Sequence, residues 1–431
     1  MAKLRYQERT AREGPFGSST PSAKLPTKPN TLPERQARRG GAKVGHPGHG
    51  RQPFTAAEAD RVQTAPAPDH CPDCGTRLES KDFRERGVLD LPPVKVEKVL
   101  WRLPRRWCPR CRRLILARAP GVPPKGLYNH RLLMGLGVQH YLYGVPLGTL
   151  IRQTGLNQGG VLKALHRGAD RLGPVLAPLL QEYRQAPVKH ADETGWRTDG
   201  RNGYAWMFGT PHLALFRFRQ TRSAHVAHEV FGAERSPGVL VVDRYDGYNK
   251  VPCALQYGYA HLLRDLQDLE KKFPQDPQVH AFVQDLAPCL AQAMKLRTFP
   301  LSRRQFRRRA RRIKDAIQKI AYRPASHPAI WTFQEIFRTQ THRLFHWTRD
   351  PAIPADNNFA ERQLRPLVIA RKISFGSQSD RGARTREIWM TVLHTLAQRT
   401  PHVGQTLERA LDALAQNPSL NLYRLLFPSP P

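Results

Sequence analysis

PVKHADETGWRTDG, Pro187 to Gly200, is where the character of this 431-residue chain changes. NGYAWMFGT, Asn202 to Thr210, and LALFRFRQT, Leu213 to Thr221, follow it directly. The three segments are short, rich in β-forming residues and separated by turn residues, which predicts three consecutive antiparallel strands. AHVAHEVFG, Ala224 to Gly232, then has a helical pattern. GVLVVDRYDGYN, Gly238 to Asn249, has that of a buried strand ending in an acid.

Three strands, a helix and a further strand are the start of an α/β sheet of the RNase H type, in which the first and fourth strands are neighbours. After YGYAHLLRDLQDLEKKF, Tyr257 to Phe273, helical patterns dominate up to about Arg349, among them LSRRQFRRRARRIKDAIQKI, Leu301 to Ile320. The expected fold class is therefore α/β, an RNase H-like catalytic core over residues 188–398 interrupted by a helical insertion at about 262–350. Residues 399–431 read as a C-terminal helical tail.

Three acids stand out by position. Asp192 lies in the first strand, Asp243 ends the VLVV strand, and Glu361 lies in DNNFAERQLRP, Asp356 to Pro366, on a helix whose first turn Asp356 or either asparagine can cap. With the first and fourth strands adjacent and the helix over their ends, the three carboxylates meet. In-line phosphodiester chemistry needs charge stabilised on both attacking and leaving oxygens, which two Mg2+ (or Mn2+) ions ~3.5–4 Å apart supply. Hard cations take carboxylate oxygens. One at a time the acids have ordinary readings: Asp192 as a turn residue, Asp243 as a strand-end acid beside Asp246, Glu361 as the i,i+4 partner of Arg365. Their joint order in a basic chain favours catalysis. If the helix continues past Pro366, Glu361, Arg365, Val368 and Lys372 share a face, and Arg365, Arg371 and Lys372 become candidate DNA contacts.

Lys and Arg number 69 against 35 Asp and Glu, a formal charge of +34 that calls for an anionic partner, nucleic acid first. No stretch is apolar enough to span a membrane, and the basic N-terminus lacks the apolar segment of a secretory signal, so a cytoplasmic protein is expected. Residues 1–66 carry hardly any apolar run and read as a disordered basic arm. Within it RRGGAKVGHPGHGR, with Arg38, Arg39 and Arg51, suits either phosphate contact or a solvated linker. Residues 67–116 hold Cys71-x-x-Cys74 and Cys108-x-x-Cys111. In a reducing compartment four such thiolates fit a structural Zn2+ ribbon better than a disulfide framework, with segments such as VKVEKVLWRL, Val94 to Leu103, as its strands. Residues 117–187 are helical in pattern, and a short helix ending at Gly155 with a second starting near Asn157 has helix-turn-helix spacing, which also serves plain packing.

HADETGWR, VVDRYDGYN, YAHLLRDLQDL and NNFAERQLRPLVIARK, in that order with a long gap before the last, resemble the DDE transposases of the insertion sequence 66 family. GHPGHGR and the two CxxC pairs are similar to that family's basic arm and zinc-binding segment. The resemblance implies a catalytic triad of Asp192, Asp243 and Glu361 and a helical insertion before the glutamate. It also implies action on the inverted-repeat ends of a mobile element and on target DNA. A homo-oligomer on DNA and accessory proteins of the element are implied as partners. Where members often carry Cys-Trp-Ala-His this chain has GYAH, with Gly258 for the cysteine, which leaves His261 as a packing or hydrogen-bonding residue. Two rivals keep the same features: a non-catalytic zinc-dependent DNA-binding protein with structural acids, and a stand-alone metal-dependent nuclease.

Overall fold

The structure, a computed structural model, describes residues 57–59, 62, 69–70, 73–79, 96–117, 119–123 and 126–428. Most of the expected basic arm, with Arg38, Arg39 and Arg51, and one expected zinc ligand, Cys71, lie outside the described residues. The chain divides into two units, Met1–Lys95 and Val96–Pro431. In the first, His70 bridges Arg77 and the Leu78 N–H donates to the Asp69 carbonyl at 2.9 Å, closing a turn that contains Cys74.

The second unit opens without regular structure over residues 96–104, so the strand expected in VKVEKVLWRL is absent among its described residues. Its Val99, Leu100 and Trp101 are all exposed, and alternation without a surface to cover leaves a segment with no reason to pair. Pairing begins later, in the antiparallel hairpin β1 (Arg105–Cys108) and β2 (Arg113–Leu116). Helices α1 (His130–Gly137), α2 (Leu147–Thr154), α3 (Gln158–Leu172) and α4 (Leu176–Gln185) follow. α2 stops at Gly155, whose φ of 66° is the left-handed conformation that glycine adopts without strain. α3 starts at Asn157, whose side chain accepts from the Gly160 N–H.

The sheet comprises β3 (Val188–Thr198), β4 (Arg201–Thr210), β5 (Leu213–Arg219), β6 (Val239–Val242) and β7 (Ala254–Tyr257), in the order β5-β4-β3-β6-β7. β3, β4 and β5 form an antiparallel meander, while β6 and β7 run parallel to β3. Helix α5 (Ala224–Phe231) links β5 to β6. The long hydrophobic runs of β4 and β5 are buried because the sheet is covered on both faces, Trp206, Phe208, Leu215 and Phe216 all being inaccessible. After β7 come α6 (Tyr259–Lys272), α7 (Pro277–Leu296), α8 (Arg303–Ala321) and α9 (Pro328–Leu344). Then follow α10 (Asn358–Ser374), α11 (Asp380–Ala397), α12 (Val403–Gln416) and α13 (Leu422–Leu426).

β5 is an edge strand, and α11 closes it through side chains. The N–H groups of Ala214, Phe216 and Phe218 donate to Thr395 Oγ1, Thr391 Oγ1 and Glu387 Oε2 at 3.1, 3.0 and 3.2 Å. A step of four residues on a helix rises ~6 Å, close to the ~6.6–6.8 Å of two residues on a strand, so the two repeats keep register. An edge that would otherwise invite another strand is satisfied within the chain. Trp389, on the same helix, packs where only glycines leave room: a Cβ on Gly137 or Gly168 would come within 2.5 or 2.6 Å of its ring.

Candidate active site

β3 is the central strand, and its parallel pairing with β6 matches His190 to Val241. Continuing that register by two residues sets Asp192 beside Asp243, immediately past the end of β6. Asp192 therefore lies within a strand rather than at a turn, which removes its turn-residue reading. Helix α10 packs on β3 and β4 and brings Glu361 in its first turn.

Of the residues expected to cap α10, Asp356 meets a first-turn N–H and Asn357 anchors the helix elsewhere. Asn357 makes no cap hydrogen bond; its side chain donates to the Ala191 carbonyl at 2.9 Å and its Oδ1 meets His190 Nδ1 at 3.3 Å. Asp356 Oδ1 instead accepts from the Asn358 N–H at 3.0 Å. The asparagine thus ties the helix start to the strand carrying Asp192, one residue from that acid. Gly258 allows the close approach on the other side, since a Cβ there would sit 3.0 Å from the Asn357 nitrogen.

Electrostatically the site is short of positive charge at Asp192 and supplied with it at Glu361. Burial holds the Asp192 carboxyl well above the usual carboxylate range, and the charges of Glu193, Asp243 and Glu361 push the same way. Its Oδ1 accepts from the Glu193 N–H at 2.9 Å. Asp243 Oδ1 accepts from the Tyr245 N–H at 3.1 Å. Glu361 has one cation beside it, Arg264 Nη2 at 3.2 Å from its Oε1, and His261 Nε2 lies 3.7 Å from the same oxygen. Burial and then Arg264 lower the His261 pKa, against the pull of Asp243, Glu361 and Asp265.

Glu193, which sequence reasoning passed over, is buried next to Asp192 and fully engaged. Arg222 Nη2 donates to its Oε1 and the Tyr248 hydroxyl to its Oε2, both at 2.6 Å. Arg222 in turn stacks over the Tyr245 ring at 4.0 Å. The signal for Glu193 was its place in ADETGWR: neighbours on a strand face opposite sides, so an acid beside Asp192 in a doubly covered sheet had to be buried and paired.

The three candidate basic contacts of α10 separate. Arg365 and Lys372 are exposed. Arg371 donates to Thr194 Oγ1 and to the Gly195 carbonyl at 3.1 and 2.5 Å, a tie from α10 to β3. The helix does run through Pro366, and Val368 on the expected shared face is buried while Arg365 and Lys372 are not.

The donor chemistry of Asp192, Asp243 and Glu361 suits a hard divalent cation: oxygen donors only, with mutual repulsion that a cation relieves. Their charges act on Asp192 together, yet among the described residues no three His, Cys, Asp or Glu side chains are grouped so as to hold a metal ion. At the second cysteine pair, Cys108 Sγ accepts from the Cys111 N–H at 3.4 Å, and this bond lowers the Cys108 thiol pKa. Arg112, at φ 48°, completes that tight turn.

A family model described as Transposase IS66 family matches residues 125–385, well over half of the chain. The chain belongs to the IS66 transposase family. A second model, the zinc-finger binding domain of transposase IS66, matches residues 68–112 and so spans both cysteine pairs. No curated protein matches. Family membership makes this transposase a DNA-binding protein of DNA-rearranging type, and no helix among its described residues is long and apolar enough to cross a membrane.

Proposed function

We propose that this transposase cleaves the ends of its insertion sequence and joins them to target DNA through Asp192, Asp243 and Glu361. The observation that carries the reading is the parallel pairing of β3 with β6, whose register, continued, sets Asp192 beside Asp243 just past β6, with Glu361 on the helix that packs on β3 and β4. The strand order β5-β4-β3-β6-β7, with the meander first and the parallel strands after it, supports an RNase H-like core over residues 188–398. The four helices between β7 and α10 support the helical insertion at about 262–350.

Asp192, Asp243 and Glu361, which are not grouped around a metal position in this structure, would have to draw together to hold Mg2+ or Mn2+, which would supply Lewis-acid stabilisation of the attacking and leaving oxygens when bound. The chain's own contribution is position. Asn357 fixes the start of α10 against β3, Arg371 fixes its later part, and the Arg222–Glu193–Tyr248 cluster holds the strand beneath Asp192. Exposed Arg365 and Lys372 would contact phosphates, with Arg38, Arg39 and Arg51 as further candidates from the sequence, while Arg371 serves α10.

Cys71, Cys74, Cys108 and Cys111 would hold Zn2+ in a structural ribbon over residues 67–116, a reading supported by their spacing and by the Cys108–Cys111 turn. The helices of residues 117–187, with α2 and α3 as a helix-turn-helix, would add DNA contacts. The protein is expected in the cytoplasm, as a homo-oligomer on paired ends with any accessory proteins of the element. Incubation of purified protein with end-containing DNA and Mg2+ tests the reading, with nicking and joining expected. Retardation alone would overturn it for the binding-only protein, and nicking without joining for the nuclease.

A further inference from the structure

Helix α8, RRQFRRRARRIKDAIQKIA, buries Phe306, Ala310, Ile317 and Ala321, a single stripe facing the protein. At 3.6 residues per turn Arg304, Arg308, Arg311 and Arg312 gather on the opposite side, with Arg307 beside them, and all five are exposed. Among the described residues none of the five enters an ion pair or a side-chain hydrogen bond. Arginines elsewhere are committed: Arg323 to Asp285 at 2.8 Å, Arg219 to Glu387 at 3.0 Å, Arg222 to Glu193 at 2.6 Å.

The stripe opposes its own helix. Arg304 with Arg308, Arg308 with Arg312 and Arg307 with Arg311 are like charges at i,i+4, which destabilise a helix unless an anion lies over them. The helix is nevertheless well started, by the Ser302–Gln305 capping box. A cavity of about 340 Å3 beside it adds Lys295 of α7, with Arg309 and Arg312 on its wall.

We propose that this face of α8 docks the phosphate backbone of duplex DNA. The proposal rests on DNA being the partner of this family and not on the metal chemistry. Arg304 to Arg312 spans about 12 Å of helix axis, a rod of positive charge against a duplex carrying one negative charge per ~1.7 Å. A membrane surface does not fit, because the helix's apolar stripe is already buried in protein and unavailable to lipid. Duplex RNA carries similar phosphate charge, and DNA is favoured over it because the chain belongs to a transposase family.

The test is a full-length variant carrying Arg304→Gln, Arg308→Gln, Arg311→Gln and Arg312→Gln, titrated against a fluorescent DNA duplex over roughly 50–200 mM salt. Its melting temperature is expected to equal or exceed that of the parent, because like charges are removed. DNA affinity is expected to fall at least about tenfold, and the slope of log K against log salt to become shallower by about 3–4, near 0.9 per lost contact. Should the quadruple variant fail to fold, Arg308→Glu alone is expected to reduce the slope by about one. Unchanged affinity and slope would overturn the proposal, as would loss confined to duplex RNA or to anionic vesicles. Absence of metal-dependent nicking by the parent protein, with the slope difference intact, would count against the catalytic reading alone.

Discussion

Arg264 on α6 holds its guanidinium 3.2 Å from the carboxylate of Glu361 on α10, and His261, one turn earlier, stands 3.7 Å from the same oxygen. The positive charge that Glu361 meets in this structure is thus the protein's own. Replacing Arg264 with Gln leaves the acids less neutralised and more attractive to a divalent ion. The pair is partly exposed, so its removal changes binding by about 0.2–1 kcal/mol, up to roughly fivefold. The Mg2+ concentration for half-maximal nicking by R264Q is expected to fall by that factor. A rise would assign Arg264 to DNA instead.

Asp192→Asn removes the carboxylate whose ionised form is least favoured. Nicking and joining are expected to fall by several orders of magnitude while the protein melts no lower than the parent, since burial and the charges of Glu193, Asp243 and Glu361 all oppose its ionisation. Gel assays and thermal melts of the same preparation check both halves; retained turnover would exclude Asp192 from catalysis.

Arg222→Ala strands a buried carboxylate. Removing one partner of a fully buried pair costs about 3–5 kcal/mol, and because the Arg222 side chain is 45% exposed a smaller loss of about 1–3 kcal/mol is expected. Tyr248→Phe should cost about 1–2 kcal/mol through its lost bond to Glu193. Urea denaturation measures both, and the double variant should fall short of the sum because both groups serve one carboxylate.

Acid should weaken the fold through its buried histidines, among them His140, His190 and His394. Burial lowers His140, with help from the Arg386 charge, and His394 to a pKa of about 4 each. A base with a depressed folded pKa binds fewer protons in the native state, so stability present above about pH 6.5 drains away as pH falls toward about 4. Melting temperature should drop across that window. His394 Nε2 is buried without a hydrogen-bond partner among the described residues, so His394→Met is expected to fold and to flatten the drop; an unchanged pH profile would reject His394 as a contributor.

Cys111→Ser or Cys71→Ser should abolish stoichiometric zinc by elemental analysis and unfold the ribbon. Unchanged metal content would refute the four-cysteine assignment.

Much of the sheet could be read from the chain. VKHADETGWRT, RNGYAWMFGT and LALFRFR carry their strands in β-forming composition and turn-bounded length, and VLVV is a buried parallel strand by its unbroken apolar run. β7 escaped because ALQY is four residues long close to Pro252 and carries the polar Gln256, whose burial is satisfied by hydrogen bonds to the Tyr257 and Leu344 carbonyls and from the Trp347 N–H. Arg371 looked like a free cation and proved to be a tie to β3, as charge alone does not say which arginines have partners.

Composition, local periodicity and residue spacing by themselves determined that this chain is basic, that it carries two cysteine pairs, and that strands and helices follow in this order. Repeats of two and 3.6 residues are written locally and survive any arrangement of the elements. The tertiary structure alone decided that Asn357 reaches Ala191, that α11 closes the edge of β5, and that Arg264 stands against Glu361. Those partners are scores of residues apart, and their meeting depends on the packing of whole elements, which no local pattern encodes.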